Sequence, residues 1–169
     1  MKVLGIDPGT VVLGYGVVES GEGPHARLLE CGILTTGSGD PLPARLRVLH
    51  DGVVALLARH TPDAVAVESA FYGKNVRTAV VLSHARGVIL LAAEVAGVEI
   101  AEYSPAVVKK AIVGRGAALK PQVGYMVAQL LRLKSPPEPA DAADGVAVAL
   151  THLMLSSRAA FFRQFTGSR

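Results

Sequence analysis

Lys2-Val3-Leu4-Gly5-Ile6-Asp7 (KVLGID), closed by Pro8-Gly9, decides the fold of this chain. Between Lys2 and Asp7 every residue is apolar or glycine, and Pro-Gly is a strong turn signal, so the stretch reads as a buried strand. Two more strands follow at short range: Leu13–Ser20 (LGYGVVES) and Ala26–Thr36 (ARLLECGILTT), separated by the turn Gly21-Glu22-Gly23-Pro24. Such short connections predict an antiparallel meander. A fourth strand, Ala64–Val67 (AVAV), is wholly apolar and closed by Glu68, the pattern of a strand buried in a parallel sheet. Gly97–Ala101 leads into a fifth. Leu42, Leu46, Leu49, Val53, Leu56 and Leu57 recur at helical spacing and predict an amphipathic helix over Pro43–His60. Further helices are expected over Val76–Ala96, Pro105–Val113, Pro121–Leu133 and Asp141–Ser156, with Ser135–Pro139 as a stiff linker. The fold class is therefore α/β: a mixed five-stranded sheet flanked by helices. If the first and fourth strands are neighbours, their C-terminal ends lie about 5 Å apart. Open α/β sheets place their chemistry at such ends.

The chain has 169 residues, 50% hydrophobic and 18% charged, which fits one folded domain and excludes a disordered chain. We expect that domain to span residues 1–156, with 157–169 as a C-terminal tail that either frays or docks. The apolar run Gly87–Ala93 has seven residues and is flanked by His84, Arg86 and Glu94; a membrane span needs about 20. No secretory pattern is visible near Met1. The single cysteine, Cys31, excludes an internal disulfide and a multi-cysteine zinc site. A cytoplasmic protein with no membrane partner is the expectation. The five histidines lack metal-ligand spacing, and His152, near the predicted end of the last helix, is placed to meet its dipole.

Net charge is only +3, but its distribution is uneven. From Ala70 to Lys134 there are nine basic residues, Lys74, Arg77, Arg86, Lys109, Lys110, Arg115, Lys120, Arg132 and Lys134, against three acids, Glu94, Glu99 and Glu102. That segment carries +6 and the remainder −3. A one-signed stretch suggests a polyanion such as nucleic acid, although a solvated helix face would look the same.

Against this basic background stand four acids. Asp7 ends the first strand, Glu68 ends the fourth, and Asp141 and Asp144 open the last helix three residues apart, on one face. Taken singly each has an ordinary reading: Asp7 as an Asx turn, Glu68 as a hydrated strand end, Asp141 as a helix cap with Asp144 as its capping-box partner. Four converging carboxylates would repel one another unless cations neutralised them, and hard divalent ions suit oxygen ligands. Two such ions about 4 Å apart form the site used for in-line attack on phosphodiesters. Magnesium is expected, two ions per subunit, with manganese as substitute.

Beyond this chemistry the chain resembles a family. Gly5-Ile6-Asp7-Pro8-Gly9 with Gly14-Tyr15-Gly16-Val17-Val18 is similar to the opening of the RuvC family of bacterial Holliday-junction endonucleases. Val67–Asn75 (VESAFYGKN), Ala85-Arg86-Gly87-Val88, Val107-Val108-Lys109-Lys110, Lys120-Pro121-Gln122-Val123 and Ala140–His152 (ADAADGVAVALTH) continue the likeness in order. The resemblance implies a ribonuclease H-like (retroviral integrase-like) fold. It also implies a homodimer that cuts four-way DNA junctions with magnesium by two symmetric nicks, leaving ends that ligase can seal, and docking to the RuvA–RuvB branch-migration complex. By the same resemblance Asp7, Glu68, Asp141 and Asp144 are metal ligands. Lys109 and Lys120 act near the scissile phosphate and on the DNA backbone. Phe71 stacks on an unpaired base, a contact worth about 1–3 kcal/mol and indifferent to sequence. Tyr72, Lys74, Arg77, Lys110 and Arg115 are the further DNA-binding candidates. Two positions depart from the family pattern: Leu13 stands where threonine is common, and Pro121 follows Lys120 directly. The helix Val76–Ala96, with Val80, Val81, Leu82, Val88, Leu90 and Leu91, carries more apolar surface than one buried stripe needs and is the expected dimer interface.

Three other readings compete. A sugar-kinase or actin-like ATPase also opens with a strand and an Asp-x-Gly turn, but needs two such domains. A ribonuclease H acting on RNA–DNA hybrids would share the fold. A non-catalytic junction binder would not need all four acids.

Overall fold

The structure, a computed structural model, describes residues 1–21, 25–69 and 76–166, with backbone alone for 76–78 and 157–166. Five strands, β1 (Lys2–Asp7), β2 (Val12–Ser20), β3 (Ala26–Thr35), β4 (Ala64–Glu68) and β5 (Glu99–Tyr103), form one sheet in the order β3-β2-β1-β4-β5. The meander β1-β2-β3 is antiparallel, and β4 and β5 run parallel to β1. The helices are α1 (Leu42–His60), α2 (Val76–Val95), α3 (Pro105–Val113), α4 (Lys120–Leu130) and α5 (Ala140–Thr166). None of the described helices is long and apolar enough to cross a membrane.

The period-two alternation of the strands sorts their side chains onto two faces. Leu4, Ile6, Leu13, Tyr15, Val17, Val65 and Val67 pack with Leu49, Val53 and Leu56 of α1 and Ala85, Ile89 and Ala92 of α2. Val3, Val18 and Ala66 belong to the opposite core, with α5 and with Val108, Ile112, Val123 and Val127 of α3 and α4. Asp7 and Glu68 share the parity of this second face. Because Ile6 pairs with Val67, the two acids leave adjacent strands side by side.

The α5 face is built for close approach. A Cβ on Gly14 would overlap the Asp141 carbonyl, and a Cβ on Gly145 would run into the backbone of Tyr15. Gly5 and Gly16 face α5 in the same way, so the helix backbone lies directly on β1 and β2.

Most element boundaries fall within one residue of the sequence reading, and three elements differ by two residues or more. β5 begins at Glu99 rather than Gly97, because Gly97 adopts φ +68° and turns the chain out of α2. α4 stops at Leu130 instead of Leu133, and Arg132 then takes a left-handed φ of 54°. α5 continues past Ser156 to Thr166, since residues 157–166 hold neither glycine nor proline to stop it. His152 therefore sits inside the helix, away from its end, and is buried.

Candidate active site

Asp7 stands at the end of β1, beneath the first turns of α5. Helix α5 begins at Ala140, so Asp141 lies inside its first turn and does not cap it. One oxygen from each of Asp7, Asp141 and Asp144 lies within 4.8 Å of the others, and all three residues are half-buried. The i, i+3 spacing on one helix face and the seam of glycines produce this convergence together. Glu68 is outside the tight trio. It lines, with Asp7 and Asp144, a cavity of about 140 Å³ that Lys109 and Lys120 also enter.

Two short helices bring in the lysines. Ser104 caps α3 by accepting a hydrogen bond from the Val107 N–H at 3.3 Å, which sets Lys109 one turn into the helix. Lys120 is the first residue of α4. Pro121 suits that first turn, and the Gln122 side chain accepts from the Leu119 N–H at 3.0 Å. Lys120 Nζ donates to Asp144 Oδ2 at 2.7 Å.

The electrostatics are those of crowded carboxylates short of cations. Burial pushes the Asp7 carboxyl up to about 6; Asp144 and Asp141 add to the shift and Lys120 opposes it. Burial likewise pushes Glu68 up to about 7, with Asp7 and Asp144 reinforcing and Lys120 and Lys109 opposing. The hydrogen bond to Asp144 holds Lys120 above the usual lysine range. An all-oxygen donor set, three of whose atoms converge and whose charge one lysine only partly balances, fits a hard divalent cation.

The remaining predicted residues fare unevenly. Lys110 and Arg115 are exposed, on α3 and on the bend after it, outside the cavity that holds the carboxylates. Phe71, Tyr72, Lys74 and the side chain of Arg77 lie outside the described residues. Along α2, Ala85, Ile89 and Ala92 are buried while Val80 and Leu91 are 51% and 57% exposed, on the opposite side of the helix.

Sequence reasoning missed two parts of the site. Arg86 enters the sequence reading as charge and within a family motif but with no place in the site, yet it lines a second cavity of about 200 Å³ with Asp7 and Glu68. Its Nε and Nη2 reach the two oxygens of Glu102 at 2.5 and 2.7 Å. No spacing rule links residues sixteen apart on a helix and a strand. The glycine seam was legible: Gly14 and Gly16, two apart, had to share one strand face.

Comparison with known proteins bears on these geometries together. The family model described as "Crossover junction endodeoxyribonuclease RuvC" matches residues 3–152. This chain belongs to the RuvC family. A relative of that name from Chloroflexus aurantiacus is 49% identical over 152 residues, covering 90% of this chain and 92% of the relative. The solved structure of Thermus thermophilus RuvC superposes with a TM-score of 0.87 at 40% identity, covering 94% of this chain and 97% of that one. The same protein in complex with a Holliday-junction substrate gives a TM-score of 0.85 at 37% identity, covering 94% and 96%. The five-stranded mixed sheet is thus the ribonuclease H-like fold of these nucleases, and membership implies a divalent metal.

Proposed function

We propose that this chain is a structure-specific endonuclease that resolves four-way (Holliday) DNA junctions by paired symmetric nicks in recombination and repair. The observation that carries the reading is the convergence of Asp7, Asp141 and Asp144 beside Glu68, Lys109 and Lys120 in a chain of the RuvC family. The four acids would hold two magnesium ions, with manganese as a substitute. Bound there, such ions would supply activation of water for in-line attack and stabilisation of the leaving 3′ oxygen.

The chain's own residues do the rest. Asp144 keeps Lys120 protonated and aims it across the cavity mouth, where the remaining ammonium protons can hold a phosphate oxygen. Lys109 enters the same cavity from α3 and offsets the negative charge beside Glu68. Lys110 and Arg115 supply backbone phosphate contacts, and Lys74 and Arg77 do so from the preceding segment. Phe71 stacks on a base opened at the junction centre, and Tyr72 is a further DNA contact. Residues 1–156 form the nuclease domain, and 157–169 an appendage to it. Two matched cuts require two matched sites, which an isologous homodimer through the exposed face of α2 would supply. The family likeness adds RuvA–RuvB as a partner and the cytoplasm as the compartment.

The test is a nicking assay on a synthetic four-way junction with magnesium, beside a linear duplex and an RNA–DNA hybrid of the same sequence. Paired nicks confined to the junction, absent with Asp7→Asn while junction binding persists, are expected. Cutting of the hybrid alone would move the function to ribonuclease H. Binding without cutting in any metal would leave a junction-recognition module. A monomer by light scattering at micromolar concentration would remove the α2 dimer.

A further inference from the structure

We infer that Arg86 and Glu102 are positioning residues for Glu68: their ion pair clamps the edge strand β5, on which the end of β4 depends, to helix α2. The inference rests on the reading of the chain as a metal-dependent junction nuclease and assigns a role to two residues outside the carboxylate cluster.

Glu68 is the last residue of β4, and the sheet ladder reaches it from one side. Pairing of β4 with β1 ends at Ile6 and Val67, whereas pairing with β5 runs on to Glu68 and Tyr103. The next residue, Ser69, donates its N–H to the Tyr103 carbonyl at 2.8 Å. β5 has five residues and is the outermost strand of the sheet. A shift of β5 therefore carries the end of β4, and Glu68, with it.

Glu102 directly precedes Tyr103 and pairs with Val67, whose side chain packs in the core toward α2. Arg86 of α2 donates from Nε and Nη2 to its two oxygens at 2.5 and 2.7 Å. Such a two-pronged contact fixes direction as well as distance. Arg86 also lines the cavity that Asp7, Glu68 and Pro105 border, so the clamp closes at the wall of the site itself. The two side chains are 33% and 34% exposed. A pair that open to water contributes little to global stability, so its consequence is placement. Its charges cancel, so it adds none beside the carboxylates. Arg86 stands roughly 120° or more around the helix from Val80 and Leu91. Its replacement therefore leaves the exposed apolar face of α2 intact.

The experiment is a double-mutant cycle of Arg86→Gln, Glu102→Gln and the two combined. Two quantities are read on each protein. One is the nicking rate at saturating four-way junction and magnesium. The other, without DNA, is the magnesium concentration giving half the maximal rise in melting temperature. Each single variant is expected to lower the rate and raise the magnesium midpoint by about tenfold. Metal-free melting temperature and gel-shift affinity for the junction should stay close to wild type. The double variant is expected to match the singles, because both remove the same contact. Wild-type rate and midpoint in both single variants overturn the inference, and so do losses that multiply in the double variant. A slower rate with an unchanged midpoint also overturns it, and would place Arg86 on the DNA. A wild-type protein that nicks no junction overturns the reading on which the inference rests, a separate result, and the midpoints still test the clamp.

Discussion

The two faces of the sheet are packed by different means. Toward α1 and α2, Leu4, Ile6, Leu13 and Val17 meet Leu49, Val53, Leu56 and Ile89, an interlocking of large side chains with deep burial. Toward α5, Gly5, Gly14 and Gly16 let a helix backbone rest on the strands, and the flanking core is rich in alanine and valine. Large side chains can shift rotamers to absorb a change; backbone against backbone cannot. The face that carries Asp7, Glu68, Asp141 and Asp144 is the one with no such slack. One face supplies bulk stability and the other supplies position.

The most severe way to break this contrast is at the site. Asp7→Asn should reduce junction nicking by on the order of a thousandfold or more, a barrier increase of about 4 kcal/mol, with junction binding retained in a gel-shift assay. Equal loss of binding and cutting would assign Asp7 a structural role. On the opposite face, Leu49→Ala leaves a cavity and should cost about 2–5 kcal/mol in urea unfolding, while the folded fraction still cuts at the wild-type rate.

How much of this was legible follows the range of the signals. β1, β2, β4 and α3 were readable because Pro8-Gly9, Thr61-Pro62 and Ser104-Pro105 punctuate them locally. The acids were readable because each combines a charged type with a strand end or a helix start. β5 was misplaced because the left-handed turn at Gly97 is set by how α2 ends. The Arg86–Glu102 and Tyr103–His152 pairs were invisible, since only the tertiary fold joins their elements. The likeness to the family named Phe71, which local pattern offered only as half of an aromatic pair.

Titration sharpens the contrast further. Asp7 and Glu68 are raised to about 6 and about 7, mainly by burial. Between about pH 4 and 7 the metal-free folded state therefore binds more protons than the unfolded chain. Their stabilising contribution is complete in acid and is lost as pH rises through 6–7, on the order of 3 kcal/mol for each carboxyl. Without metal, Asp7→Asn should melt above the wild type at pH 8, and the gap should close toward pH 5. Magnesium should raise the wild-type melting temperature more at pH 8 than at pH 5. Leu49→Ala should show no such pH dependence relative to wild type.

Gly14→Ala probes the rigid face directly. Overpacking against the Asp141 carbonyl should cost about 1–3 kcal/mol, no more than Leu49→Ala. Nicking should nonetheless fall more than tenfold, because relief of the clash moves Asp141 away from Asp7. Wild-type cutting by a folded Gly14→Ala protein would show that this face has slack after all.

The smallest expected effect comes from the edge of that face. Tyr103 ends β5, and its carbonyl accepts from the N–H of Ser69, the residue after Glu68, at 2.8 Å. Its hydroxyl lies 2.9 Å from His152 Nδ1, while His152 Nε2 is buried without a partner among the described residues. Burial holds the imidazole below its usual range, so it is neutral at pH 8, and this contribution is lost as pH falls below about 6.5. Tyr103→Phe removes the hydroxyl and should cost about 1 kcal/mol at pH 8. Cutting should barely change, because the bond that ties down the Glu68 strand end comes from the backbone, which phenylalanine keeps. A severalfold loss of nicking with little loss of stability would place the restraint on Glu68 in the Tyr103 side chain, and would extend the rigid face out to β5.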